Sequence, residues 1–128
     1  MYYAQTTCTI DSAHWLKLGY DSPCNKEHGH RWEIVIHCAS TDLNEGGMVV
    51  DFSATKQKVK FLDHKVINRI EPFNTINPTA ENLARVLCDW INELCELEMN
   101  KPVCYCTEVY ETEGNKATYT LEGWKKPV

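Results

Sequence analysis

Leu83, Val86, Leu87, Trp90, Ile91, Leu94 and Leu97 recur at steps of three and four. That is one apolar stripe on a 3.6-residue period, so this segment is a helix with a single face that must be buried. Asn77 suits the N-cap and Pro78 the first helical position, where a missing N–H loses nothing. The helix is expected to end near Met99-Asn100, with Pro102 just beyond. Sheet-forming segments lie on both sides of it. Tyr2 to Ser12 is rich in Tyr, Thr and Ile, and Trp32 to Ala39 has a β-branched centre; both read as strands. Lys17 to Lys26 and Thr41 to Gly47 carry turn residues. Met48-Val-Val-Asp-Phe52 leads into a first helix over roughly Ser53 to Asn68. Val103 to Thr112 and Ala117 to Leu121 read as a closing hairpin around Glu113-Gly-Asn-Lys116. The order strand, strand, helix, helix, strand, strand predicts an α+β fold: a four-stranded antiparallel sheet with two helices on one face. Such a unit has little room for a deep pocket and leaves two sheet edges open, so oligomerisation is expected.

At 128 residues the chain is long enough for one core, and a single domain over 1–128 is expected. The formal charge of −5 argues against a nucleic-acid partner, because phosphate binding needs clustered Lys and Arg. No run approaches the roughly 18 apolar residues of a membrane span. The start, Met1-Tyr-Tyr-Ala-Gln, has neither a basic nor an apolar leader region, so a cytoplasmic chain is expected. Seven cysteines are present, an odd number that cannot pair completely. In a reducing compartment most are small buried hydrophobes. Cys88, Cys95, Cys104 and Cys106 read as packing residues.

Among five histidines, the run Glu27-His28-Gly29-His30 stands out. On a strand, His28 and His30 share a face, with Cα atoms ~6.5 Å apart. Two imidazoles so placed can converge on one ion at ~2.0–2.1 Å. His14 ends the first strand, beside the start of the second if the two pair antiparallel. Three histidines with a fourth position open make a catalytic rather than a structural metal arrangement. A His-x-His pair alone is weak evidence; His14 is what strengthens it. His37 has the opposite strand parity and reads as structural or exposed.

Cys24 lies four residues before His28, where a nearby dication would favour its thiolate. Asp63-His64 suggests acid–base work, but neighbours on a helix do not face each other, so the backbone must bend there for the two to touch. A purely structural His64 is equally compatible with the sequence. Of Glu108 and Glu111, opposite parity lets only one share a face with the site. Glu111 is near the strand's end, where a buried carboxylate can accept paired N–H donors from a heterocycle, and a solvated strand-end Glu is the ordinary alternative.

Ser12-Ala-His14, Cys24-Asn-Lys-Glu-His-Gly-His30, Gly47-Met-Val-Val-Asp-Phe52, Leu62-Asp-His64, Asn77-Pro-Thr-Ala-Glu-Asn82 and Tyr110-Glu-Thr112 together resemble the 6-pyruvoyl-tetrahydropterin synthase superfamily. The nearest branch is the bacterial 6-carboxy-5,6,7,8-tetrahydropterin synthases. The three residues between Cys24 and His28 favour that branch over the animal-type enzymes, which usually have a longer gap. A third branch has Glu in place of Cys24. Ile10, Ser12 and Arg31-Trp32 depart from the usual pattern.

The resemblance implies a T-fold whose units close a barrel as trimers, two of which stack into a homohexamer with active sites at subunit interfaces. It implies Zn2+ on His14, His28 and His30, with Cys24 as catalytic base and Asp63 and His64 as its partners. It places Glu111 as pterin anchor, with Thr112 and Thr79 as further substrate contacts. The implied reaction converts 7,8-dihydroneopterin triphosphate to 6-carboxytetrahydropterin, acetaldehyde and triphosphate, on the route to queuosine in tRNA. A pyruvoyl-forming enzyme and a zinc-dependent pterin-binding module without turnover are the alternatives. Neither nucleic acid nor membrane is an expected partner.

Overall fold

The computed structural model of the chain describes residues 1–125; the last three positions of the expected domain, 126–128, lie outside them. Four strands, β1 (Tyr2–His14), β2 (His28–Ser40), β3 (Val103–Thr112) and β4 (Asn115–Thr120), form one sheet in the order β1-β2-β3-β4. Every neighbouring pair is antiparallel. Two helices, α1 (Phe52–Lys60) and α2 (Ala80–Cys95), cover one face, α1 against β1 and α2 against β3 and β4. This is the α+β architecture that the element order predicts. No helix among the described residues is long and apolar enough to cross a membrane.

The period-2 pattern decides which side chains meet the helices. In β1 these are Thr6, Cys8, Ile10, Ser12 and His14, all buried. In β2 they are Trp32, Ile34, Ile36 and Cys38, each at most 1% exposed. The stripe of α2 closes over them with Leu83, Val86, Leu87 and Ile91. Thr107 is also fully buried in this layer, and its hydroxyl donates to the Ala84 carbonyl of α2. A buried hydroxyl would otherwise be destabilising, and this bond satisfies it while joining sheet to helix.

Both helices are shorter than their sequence patterns predict. The first ends at Lys60, not near Asn68. The chain after it returns to the edge of β1: the His64 N–H donates to the Asp11 carbonyl at 2.7 Å, and the Ala13 N–H donates to that of Lys65 at 3.0 Å. These tertiary bonds replace the helical ladder, and the reversal puts His64 at φ 57°. A single 3-10 turn, Ile67–Arg69, follows.

The second helix starts two residues later than expected. Thr79 is its N-cap, its hydroxyl accepting from the Asn82 N–H at 3.1 Å. Asn77 instead brackets the backbone of Lys17, accepting from its N–H at 2.8 Å and donating to its carbonyl at 3.0 Å. At the other end, Asn92 ties the last turn to β3 through both the N–H and the carbonyl of Cys104, each at 2.9 Å. The helix stops at Cys95, and Leu97 is left 82% exposed outside the stripe.

The two leading strands run further than their composition suggests. β1 reaches His14 and β2 starts at His28, so the Glu27-His28-Gly29-His30 run is sheet from His28 onward, as the shared face of its two histidines requires. Their register pairs His14 with His28 and Ser12 with His30.

Candidate active site

That register builds the site. Ser12 and His14 on β1, and His28, His30 and Trp32 on β2, all leave the helix-facing side of the sheet at one end. The ring of His14 lies 4.6 Å from that of His28 and 5.1 Å from that of His30, and the last two are 4.9 Å apart. Trp32, fully buried, sets its edge or face against His14 at 4.9 Å and His30 at 5.2 Å. Its indole N–H donates to the Ser12 carbonyl at 3.3 Å. The imidazoles therefore rest on a rigid apolar wall.

Backbone carbonyls fix which nitrogen is free in two of the rings. His14 Nδ1 lies 2.7 Å from the Pro78 carbonyl and His28 Nδ1 lies 2.6 Å from that of Lys26. A carbonyl only accepts, so both Nδ1 atoms carry the proton and both Nε2 lone pairs face the cluster. His14 Nε2 is buried without a hydrogen-bond partner, and so is His30 Nε2. Glu111 Oε1 stands 3.2 Å from His30 Nε2, but outside hydrogen-bond alignment. Burial is the main influence holding the His14 and His30 imidazoles below the ordinary histidine value. Both stay neutral and keep a lone pair to donate.

One ligand atom from each of His14, His28 and His30 lies within 4.8 Å of the others. Orphaned buried nitrogens are energetically unfavourable unless something accepts their lone pairs. A metal ion does so, and these three residues can hold one.

Residues 4–122 match the family described as 6-pyruvoyl tetrahydropterin synthase. The chain belongs to that family. It is 30% identical over 115 residues to the 6-carboxy-5,6,7,8-tetrahydropterin synthase of Bacillus subtilis, covering 86% of this chain and 79% of the relative. It is 33% identical over 96 residues to the enzyme of that name from Rickettsia bellii, covering 59% and 69%. Its fold is that of the Caenorhabditis elegans 6-pyruvoyl tetrahydropterin synthase structure, at a TM-score of 0.73 and 23% identity, covering 94% and 96%. The T-fold expectation for the chain holds.

Within this family member the other site candidates are spread out. Glu111 joins the histidine cluster from β3, on the same side as Thr107 and Val109. Thr112, exposed at the end of β3, accepts from Asn115 Nδ2 at 3.2 Å in the hairpin turn. Thr79 is engaged as the helix cap, next to the Pro78 carbonyl that holds His14. Cys24 is half-buried on a 3-10 turn, Pro23–Asn25, capped by the Ser22 hydroxyl. Its carbonyl accepts from the Leu16 N–H at 2.8 Å, which ties the turn to the chain two residues past His14.

Asp63 and His64 lie at the outer edge of β1, where His64 lines an open cavity together with His30 of the cluster. The bend that their sequence requires is present, and His64 Nε2 lies 3.5 Å from Asp63 Oδ2. The His64 side chain is 78% exposed. The remaining histidine, His37, is on the opposite sheet face as its parity predicts, 2.8 Å from Glu108. Sequence reasoning missed three supports: the Pro78 carbonyl, the Trp32 wall and Asp11, whose backbone anchors Asp63 and His64. A backbone carbonyl leaves no side-chain signature. Trp32 and Asp11 were visible only through the register, which one strand alone does not reveal.

Proposed function

We infer that the chain is a zinc-dependent 6-carboxytetrahydropterin synthase. It converts 7,8-dihydroneopterin triphosphate and water to 6-carboxy-5,6,7,8-tetrahydropterin, acetaldehyde and triphosphate. The observation that carries this reading is the convergence of three imidazoles, with the buried His14 Nε2 lacking a partner. It is supported by the names of the Bacillus and Rickettsia relatives. When bound, zinc supplies Lewis acidity, polarising the side-chain oxygens of the substrate and acidifying the adjoining C–H.

The chain's own groups do the rest. Cys24, as thiolate, removes the acidified proton, and His64 relays it while Asp63 orients the ring. Glu111 accepts the N–H groups of the pterin ring and fixes its orientation. Thr79 and Thr112 border the pterin. The sheet ends in two edges, at β4 and along the first half of β1, beyond which the chain after α1 bonds to Asp11 and Ala13. Tyr2 and Tyr3 at the start of β1 are 51% and 40% exposed. Both features support a homohexamer of two stacked trimers, with sites completed between copies. The product enters deazapurine synthesis toward queuosine, and the enzyme works in the cytoplasm as a carbon–carbon lyase.

Mass spectrometry of the products from dihydroneopterin triphosphate tests the reading, with zinc measured on the same sample. Carboxytetrahydropterin with acetaldehyde is the expected result. A pyruvoyl product reassigns the reaction, and pterin binding without turnover makes the chain a binding module. Cys24→Ala with full activity removes Cys24 from the mechanism.

A further inference from the structure

A cavity of about 790 Å3 lies along the edge of β1 and β2 where the chain after α1 returns to the sheet. Two of the chain's three arginines, Arg31 and Arg69, line it together with Lys65. Asp11 is the one carboxylate in its wall, so three cations against one anion leave a formal excess of two positive charges. The chain as a whole carries −5, so this is a local reversal of sign. Such a reversal in a concave site concentrates anions there.

The cations are arranged to be used. Arg31 is held across the strands by Asp11, with Nε 2.9 Å from Oδ1 and Nη2 3.3 Å from Oδ2. That fork fixes the guanidinium plane and leaves Nη1 to donate elsewhere. Among the described residues no carboxylate pairs with Arg69, which closes the short turn after Val66. The stem of Lys65 completes the wall, its ammonium resting 3.8 Å from the Phe61 ring centre. Gly29 gives the floor its depth: a Cβ there would meet nothing within 4 Å. Planar guanidinium groups match phosphate oxygens in pairs. The volume exceeds what a single small anion fills.

We propose that this cavity is a polyphosphate-binding site, with Arg31 and Arg69 as its principal donors. Resting on the function inferred above, its occupant is the triphosphate arm of the pterin substrate. The histidine cluster and Glu111 provide for the metal and the ring but contain no cation for that arm. His30 and His64, both in the inferred machinery, also border the cavity.

The test is calorimetric titration of the full chain with inorganic tripolyphosphate, with metal content measured before and after because tripolyphosphate chelates zinc. Wild type binds. The R31Q/R69Q pair weakens binding at least about tenfold, as loss of charged hydrogen bonds predicts. The R31K/R69K pair recovers part of it, which shows that the fold is intact, and R85Q on α2 changes nothing. In turnover, R31Q/R69Q raises KM for the pterin triphosphate about tenfold with kcat little changed. Unaltered tripolyphosphate affinity in R31Q/R69Q overturns the proposal, as does absence of wild-type binding. Arginine-dependent binding without any pterin turnover upholds the polyphosphate site and rejects the inferred reaction. Turnover with unchanged KM in R31Q/R69Q upholds the reaction and rejects the site as the substrate's.

Discussion

Asp63 and Asp11, 52 positions apart in sequence, are joined side chain to backbone: Asp63 Oδ1 accepts the Asp11 N–H at 2.8 Å. The Asp11 carbonyl in turn accepts the N–H of His64 at 2.7 Å. The pair therefore fixes the turn that presents His64. The backbone bond from Asp11 is also the main reason the Asp63 carboxyl lies below its ordinary value. Asparagine keeps the accepting oxygen but not the charge that faces the imidazole. Asp63→Asn is expected to unfold within about 0.5 kcal/mol of wild type in urea, yet to lose about tenfold or more in kcat. Asp63→Ala removes the acceptor too, and should cost about 1–2 kcal/mol. Equal kcat for wild type and Asp63→Asn would show that the carboxylate only holds the turn.

Trp32 supports the cluster from behind, and its replacement separates packing from ligation. Trp32→Ala leaves a void under two imidazoles and is expected to lower stability by about 3–5 kcal/mol. Trp32→Phe keeps most of the wall but loses the bond to the Ser12 carbonyl, so a loss of about 1–2 kcal/mol is expected. Urea denaturation measures both. Metal content of the Phe variant should stay near wild type, because no ligand atom is removed.

Much of this was legible from residue types. The stripe from Leu83 to Ile91 required a helix on a sheet, and alternation in β1 and β2 assigned the inner face. His28 and His30 announced themselves by spacing, and antiparallel pairing brings His14 to them. What the residues could not convey was where tertiary bonds override local preference. Nothing in Phe61-Leu-Asp-His64 marks the end of α1, because the bonds that end it come from Asp11 and Ala13 in another element. Asn77 is a good cap by type, yet Lys17, 60 positions away, engages its side chain instead. Thr79 then takes the cap.

The opposite sheet face carries a pair unrelated to the site. Glu108 is bonded to His37 at 2.8 Å and to Lys116 at 3.0 Å, with its side chain 20% exposed. The His37 bond first, and Lys116 after it, hold the carboxyl below its ordinary value of 4.5. A depressed folded-state value stabilises the fold above the unfolded value, and that stability is lost as pH falls through the folded one. Wild type should therefore exceed Glu108→Gln by about 1 kcal/mol at pH 7. The difference should shrink steadily once the pH drops below about 4.5. Parallel urea titrations of the two proteins at pH 7, 5 and 3.5 check it, and a constant gap would mean that the pair is held by geometry rather than charge.

The carbonyl partners of His14 and His28 predict how a metal site on the three histidines would fail. His28 is half-exposed at the start of β2, and its Nδ1 contact to Lys26 is local, only two residues away. His14 is 1% exposed and its Nδ1 contact crosses 64 positions to Pro78. Removing either imidazole takes one of three ligands, so His28→Ala and His14→Ala should each fall well below one metal ion per chain by elemental analysis. Their stabilities should differ. His28→Ala vacates a rim and is expected within about 1 kcal/mol of wild type without metal, whereas His14→Ala leaves a buried void and an unpaired Pro78 carbonyl and should lose about 2–4 kcal/mol. Metal added back should raise the Tm of wild type and of neither variant, since only an intact site couples binding to folding. A wild-type Tm that ignores added zinc would show that the three rings do not form a metal site.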